Sequence, residues 1–320
     1  MKKRIVLFLI SLSLLALLIY FSDVTKILET LSRANPFFLF MGMLFWVLDT
    51  FLRTFRWRIL LRRIGVKISF FRLWQIFIAS MFVSNLSPAK TGDPIRSVIL
   101  KRNEGKSFSR SLSSIVVERI MDVAFLVSVS LISVLFFFPK VQGIGKWLYV
   151  AVIIYTFGVC LAIFIISSER RAELFFTKLF RVFSFIPKVR SYEPRVKRGS
   201  KKLHRAFKTY KSLPTLFSAF ALTCVIWGIQ GIVLYLCFKS IGLEANPLAC
   251  VVAIAFSVLI GVLTFLPGAL GSSEVVTVAF FTSLFSFSLP QVTTATLLLR
   301  FLFFWPYVVL GSLIFSLKFK

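Results

Sequence analysis

The sequence predicts an all-α polytopic membrane protein of about 6–8 transmembrane helices, with two broken or re-entrant segments that an inverted repeat could relate. Three observations predict it. Of the 320 residues 58% are hydrophobic and the mean hydropathy is +0.88, more apolar surface than a soluble domain of this size can bury. Several runs approach or exceed the roughly 18–20 apolar residues needed to cross a hydrocarbon core. The net charge of +27 gathers between those runs, as expected where basic loops stay on the cytoplasmic side. Nucleic acid, the usual reading of such a charge in a soluble chain, is not an expected partner.

The first element, Ile5 to Phe21, follows the basic Met1-Lys2-Lys3-Arg4. A signal peptide begins this way, but no small-x-small cleavage site precedes Asp23, so the segment reads as a retained helix. Further apolar segments cover 37–52, 73–86, 114–138, 148–167, 215–238, 247–266, 274–289 and 292–317. Between them, basic residues number seven in 53–72, six in 90–110 and fourteen in 168–213, with three at the N-terminus and two at the C-terminal end. The segments 22–36, 139–147 and 239–246 hold two, two and one. If every segment spans, 90–110 falls outside, against the positive-inside rule. Two hairpins remove the conflict: 73–89 enters from the cytoplasm and turns back, and 247–289 dips from the outside. Both termini are then cytoplasmic, in a cell (inner) membrane, with 32 basic residues inside and five outside. The alternative is that 73–86 spans fully and 90–110 is an exposed basic loop.

The whole chain, 1–320, reads as one integral membrane domain. Within it 168–213 is expected to be a basic cytoplasmic loop lying on the inner leaflet. "DTFLRTFRWRILLRR" places Arg53, Arg56 and Arg63 near one face among Phe51, Phe55 and Trp57. This is either an interfacial anchor for anionic lipid headgroups or a topology signal with an aromatic belt. Cys160, Cys224, Cys237 and Cys250 show no metal or disulfide spacing and read as small core residues. The single histidine, His204, sits in the basic loop, which argues against a zinc site or histidine catalysis in the membrane.

Two stretches interrupt the apolar pattern. "NLSPAKTGDPIRS", residues 85–97, and "FLPGALGSSE", residues 265–274, each contain P-x-x-x-G and then an acid. The first supplies Pro88, Gly92 and Asp93, the second Pro267, Gly271 and Glu274. Arg119 and Arg300 follow within apolar helices, 31 and 33 residues after the two prolines. Irregular backbone at membrane depth survives only in contact with protein or a wet cavity. Paired interruptions from opposite faces point, in transporters, to a midplane site. Glu118 and Asp122 share a helical face, with Arg119 on its flank. Charges there cost about 2.5–3.5 kcal/mol each on insertion scales. They form either a packing network of the Glu118–Arg119–Arg300 type or a site for an anionic group, to which arginine's planar fork is matched.

At these residues the chain resembles a known family. "NLSPAKTGDPIR", "VVERIMDV" and "LPGALGSSE" are similar to signatures of the flippase-like membrane domain of bacterial lysylphosphatidylglycerol synthases, which also has stand-alone members. The family pattern is matched by Asn85, Pro88, Gly92 and Arg96, while Asp93 stands where glutamate is usual, one methylene shorter. Its E-R-x-x-D element falls on Glu118, Arg119 and Asp122, and its proline-glycine and G-x-x-E elements on Pro267, Gly268, Gly271 and Glu274. The resemblance implies flipping of a lipid with a modified headgroup between leaflets. In the full synthases a separate soluble domain transfers lysine; no such domain is visible in these 320 residues, so lysyl transfer is not expected.

The first functional expectation is therefore a translocase for a phospholipid or polyprenyl-linked lipid. Arg119 and Arg300 would attract its phosphate, Lys90 and Arg96 would gather headgroups at the cytoplasmic mouth, and Asp93, Glu118 and Glu274 would pair with the arginines in the empty site. Anionic membrane lipids are the expected partners, no cofactor is expected, and a homo-oligomer or a lipid-synthesis partner protein is compatible with the chain. No G-x-x-x-x-G-K-[ST] loop occurs, which argues against ATP hydrolysis. An intramembrane enzyme using Glu118, Asp122 or Glu274 as general acid or base, an accessory subunit of lipid synthesis, and a scaffold are the alternatives.

Overall fold

The computed structural model describes residues 2–88, 90–137 and 212–319, with Tyr210 and scattered positions between 150 and 174. Apart from those positions, the expected span 148–167 and the basic loop 168–213 lie outside the described residues. The described residues contain eleven helices and no strand. This is an all-α membrane protein.

Helix α1 (Lys2–Phe21) bends by 80° into the short α2 (Val24–Ser32). The chain then runs through two halves built alike. In the first, Asn35 caps α3 (Pro36–Arg63) by accepting from the Phe37 amide, with Pro36 at the first position, where no amide hydrogen is missed. Helix α4 (Phe70–Asn85), a break, α5 (Ile95–Glu104) and α6 (Phe108–Phe137) follow. In the second, α7 (Leu213–Ser240) leads to α8 (Pro247–Leu263), a break and α9 (Ser272–Phe285). Helices α10 (Leu289–Phe303) and α11 (Trp305–Lys318) then form one length of 30 residues, equal to α6.

The correspondence is detailed. Both α3 and α7 are 28 residues long and end on Ile-Gly. Gly65 and Gly242 take φ of 77° and 78°, a left-handed turn that costs glycine little. Val66 and Leu243 then donate back to the carbonyls of Leu61 and Phe238. From Gly65 to Gly242 is 177 residues, from Pro88 to Pro267 179, and from Arg119 to Arg300 181.

Each break is the tip of an antiparallel hairpin. At the first, Arg72 near the start of α4 pairs with Glu104 at the end of α5, 2.6 Å apart. At the second, the hydroxyls of Ser257 and Thr277 are 2.6 Å apart and the rings of Phe256 and Phe280 5.9 Å apart. The hairpins enter from opposite ends of the bundle. Arg72 lies over Phe319 at 4.8 Å and Tyr210 donates to the Leu60 carbonyl at one end. At the other, the Asn35 amide donates to the Ser240 carbonyl. The tips meet in the middle, where Pro88 and Pro267 pair as an isolated antiparallel bridge.

Helices α3, α7 and the α10–α11 length are long and apolar enough to cross a membrane, and the bent α1–α2 pair passes the same test. Lipid is as apolar as leucine, so helix association relies on close approach and polar contacts. Gly42 of α3 lets Leu302 and Val233 come close, and a Cβ on Gly231 of α7 would lie 3.0 Å from the Val251 Cα of α8.

Three expectations need correction. Helix α3 does not stop at the apolar stretch 37–52 but continues to Arg63. The reason is that Arg53 and Arg56 are neutralised inside the protein, so neither forms an interfacial anchor; Arg63 alone of that set is exposed. The span 90–110 is not a plain loop, since α5 occupies its middle and α6 begins within it. Cys237 and Cys250 are core residues, whereas Cys160 is exposed.

Candidate functional site

The helix breaks deliver charge to the interior. Where α4 ends, Ser84 donates to Asp93 and Ser87 to the Ser84 carbonyl, and the Gly92 amide donates to the Ser87 hydroxyl at 2.7 Å. This knot turns the chain and holds the Asp93 carboxylate, 5% exposed, inward. Lys90, two residues past Pro88, takes φ of 56°, and Ala269, two past Pro267, takes φ of 51°. Both tips therefore use the same uncommon left-handed backbone at the same place.

Around the first break lies a continuous ion network. Arg56, 1% exposed, donates to Asp122 at 2.6 Å and to Thr223 at 2.7 Å, with Glu118 3.5 Å away. Glu118 also accepts from Arg96 at 2.8 Å. Trp227 donates to Asp122 at 3.1 Å. Arg119 stands 2.8 Å from Asp93, off the line of a hydrogen bond, and 3.3 Å from Asp122. Beside this, Arg53 donates to Asp49 at 2.7 Å, Tyr307 donates to the same carboxylate, and the Arg53 guanidinium lies over Trp227 at 5.3 Å. Removing one partner of a buried pair costs about 3–5 kcal/mol because the other charge is left uncompensated. The network thus fixes α3, α6 and α7 to one another.

The second break is held differently. Arg300 donates to Glu274, to the Ser273 hydroxyl and, at 3.1 Å each, to the carbonyls of Gly268 and Ala269. Both carbonyls belong to the non-helical tip, whose polar groups need partners at membrane depth. The Glu118–Arg119–Arg300 linkage, one of the two alternatives the sequence left open, is not formed. Arg119 reaches back to its own hairpin tip and Arg300 to its own, and Glu118 serves Arg56 and Arg96 instead.

Between the two tips is a cavity of about 180 Å³. Of the sequence-predicted residues, Asn85, Lys90, Asp93, Arg119, Gly268 and Arg300 line it. Pro88, Gly92, Pro267 and Gly271 shape the turns, while Glu118, Asp122 and Glu274 stand behind the arginines. Arg96 is a correction. It is completely buried, with its guanidinium 5.0 Å from the Trp57 ring and 5.6 Å from that of Phe77, so it cannot gather headgroups at a mouth. The lining from the second half mixes apolar Ile254, Val258, Val262, Leu299 and Phe303 with the hydroxyls of Ser257, Ser273, Thr277 and Thr296.

Sequence reasoning missed Arg53, Trp227, Gln230 and Tyr307, all of which line the cavity. For two of them a signal was present. Asp49 and Arg53 are an i, i+4 pair inside an otherwise apolar run, and Gln230 is the lone amide of a 28-residue apolar helix. Polar groups in such places face a partner or a cavity.

Residues 5–311 match the family described as "Lysylphosphatidylglycerol synthase TM region". A UPF0104 membrane protein from Pyrococcus horikoshii is 23% identical over 98% of this chain and 96% of its own length. One from Methanothermobacter thermautotrophicus is 23% identical over 97% and 94%, and one from Methanocaldococcus jannaschii 23% over 93% and 89%.

Proposed function

The chain belongs to the lysylphosphatidylglycerol synthase TM region family, and from that premise we propose that it translocates a lipid with an anionic headgroup between leaflets. One observation carries this reading. The cavity at the meeting of two opposed hairpins is lined by the cations Arg53, Lys90 and Arg119 together with apolar Ile254, Val258, Val262, Leu299 and Phe303, interspersed with hydroxyls of Ser257, Thr277 and Thr296. An amphipathic ligand suits such a lining. The size argues the same way. At about 180 Å³ the cavity is below the roughly 300–1,000 Å³ of pockets that enclose a whole drug-sized ligand. It accommodates a headgroup whose tails stay in the bilayer.

The mechanism follows from the inverted arrangement. Each hairpin tip reaches the cavity from one end of the bundle, and the tips abut at Pro88 and Pro267. Rocking one half against the other about this contact opens the cavity to each leaflet in turn. The headgroup phosphate competes with Asp93 for Arg119, whose Nε contact with that carboxylate is close but not a hydrogen bond. The count of basic residues supports a cell membrane location with both termini cytoplasmic.

The test is leaflet-resolved transfer in proteoliposomes, using fluorescent lipids with anionic, zwitterionic and aminoacylated headgroups. Wild type is expected to accelerate transfer of a lipid bearing a phosphate, and folded Arg119→Gln to lose that transfer. Transfer no faster than in protein-free liposomes for every lipid overturns the proposal. Chemical alteration of the headgroup without transfer replaces it with the intramembrane enzyme.

A further inference from the structure

Resting on the translocase reading, and deepening it, we infer that Lys90 and Arg53 form the oxyanion subsite of the cavity, while Arg300 is a clamp on the second hairpin tip and does not receive the ligand. The two arginines that the sequence presents as equivalent, Arg119 and Arg300, are thus unequal.

The first argument is donor supply. The Arg300 guanidinium is engaged at Nε, Nη1 and Nη2 by one carboxylate, one hydroxyl and two backbone carbonyls of its own hairpin. It has little left to offer a phosphate. Arg53 is the opposite case. Its side chain is 9% exposed, Nε is bound to Asp49, and Nη2 has no hydrogen-bond partner although the residue lines the cavity. A buried guanidinium with an unused arm is costly unless something occupies it.

The second argument is charge. Around the first break Arg53, Arg56, Arg96 and Arg119 are matched in number by Asp49, Asp93, Glu118 and Asp122. Lys90 is the fifth cation. Among the described residues its ammonium makes no ion pair and no hydrogen bond, yet Lys90 lines the cavity. Its φ of 56° is a conformation that a non-glycine residue keeps only when its surroundings enforce it. One surplus positive charge held at the tip of a re-entrant hairpin asks for one negative charge. A ligand with a singly charged phosphate group meets that need, and its oxygens can accept from Lys90 Nζ and the Arg53 guanidinium together. The equivalent positions of the second half are Ala269 at its tip and, near Arg53's place, Gln230. The subsite therefore belongs to one half, and the other contributes a neutral wall.

The shared chemistry is an oxyanion, which a lipid headgroup or free phosphate could supply. Binding to the purified full-length protein in detergent tests the assignment, with dioctanoyl phosphatidylglycerol, dioctanoylglycerol and inorganic phosphate as probes. Wild type is expected to bind the phospholipid and not the phosphate-free diglyceride. Lys90→Gln, which leaves no acid unpaired, and Arg53→Lys, which keeps the charge facing Asp49, should each weaken binding by about tenfold or more, the loss expected for a charge-assisted contact. Lys90→Arg should retain it, and the folded fraction of Arg300→Gln should bind as wild type does. Inorganic phosphate failing to compete identifies the lipid headgroup as the source; equal competition identifies the free ion. Wild-type affinity in both Lys90→Gln and Arg53→Lys overturns the subsite, as does lost affinity in folded Arg300→Gln with those two unchanged. Transport in proteoliposomes separates the two readings. Unchanged binding by Lys90→Gln beside normal wild-type transfer removes the subsite and keeps the translocase. Binding lost in Lys90→Gln beside no transfer by wild type keeps the subsite and removes the translocase.

Discussion

Asp122 is the residue on which the buried network is most dependent. It accepts from Arg56 at 2.6 Å and from Trp227 at 3.1 Å, and stands 3.3 Å from Arg119. Asp122→Asn keeps the volume but removes the charge, so the network around the first break goes from one surplus cation to two. Arg56 is left with Glu118 at 3.5 Å, which Arg96 already occupies. The amide also presents donors to guanidinium groups that can only donate. A broken buried pair costs about 3–5 kcal/mol. At the roughly 2 °C per kcal/mol expected for a large chain, the melting temperature in detergent should fall by about 6–10 °C. Arg56→Met combined with Asp122→Leu removes one charge of each sign and leaves Arg96–Glu118 and Arg119–Asp93 paired. That double variant should recover most of the loss, because replacing both ions avoids the uncompensated charge. Thermal unfolding followed by size-exclusion chromatography reads both. A shift below about 2 °C for Asp122→Asn, or a double variant less stable than the single, refutes the view that each acid of this network neutralises a buried arginine.

Two further outcomes follow from the fold. Gly271, at φ of 81°, would place a Cβ 2.7 Å from that of Leu14 and 3.0 Å from the Ser11 carbonyl oxygen, whereas Gly105 at 62° has nothing within 4 Å. Gly271→Ala should therefore destabilise by more than Gly105→Ala, whose cost is about 1 kcal/mol of backbone strain; equal melting temperatures would show that α1 does not pack on the second tip as described. Cysteines introduced at Arg63 and at Glu244, after replacement of the four native ones by alanine, should react on opposite sides with a membrane-impermeant maleimide in intact cells, Glu244→Cys being labelled and Arg63→Cys protected. Equal labelling contradicts the opposed hairpins.

The pattern of apolar runs, the two proline–glycine interruptions and the basic-residue count together determined an all-α membrane chain with two hairpins. Those features are local. A run long enough to span, or a proline that cannot donate, constrains the backbone wherever it sits. The Ile-Gly ends of α3 and α7 carry the repeat as well, although two residues in each half are too few to stand out without the shared turn geometry. What each charged residue does was decided only by the tertiary structure. Arginine's reach lets it satisfy a carboxylate many residues away, so the same i, i+4 spacing around Arg53 describes a headgroup anchor or a buried cavity wall. Packing of α3 against α7 chose the cavity wall. Arg119 and Arg300 occupy equivalent places in the repeat, yet one faces a carboxylate off axis and the other is saturated by its own hairpin tip. That difference depends on which carbonyls the second tip leaves unpaired, and only the folded arrangement sets it.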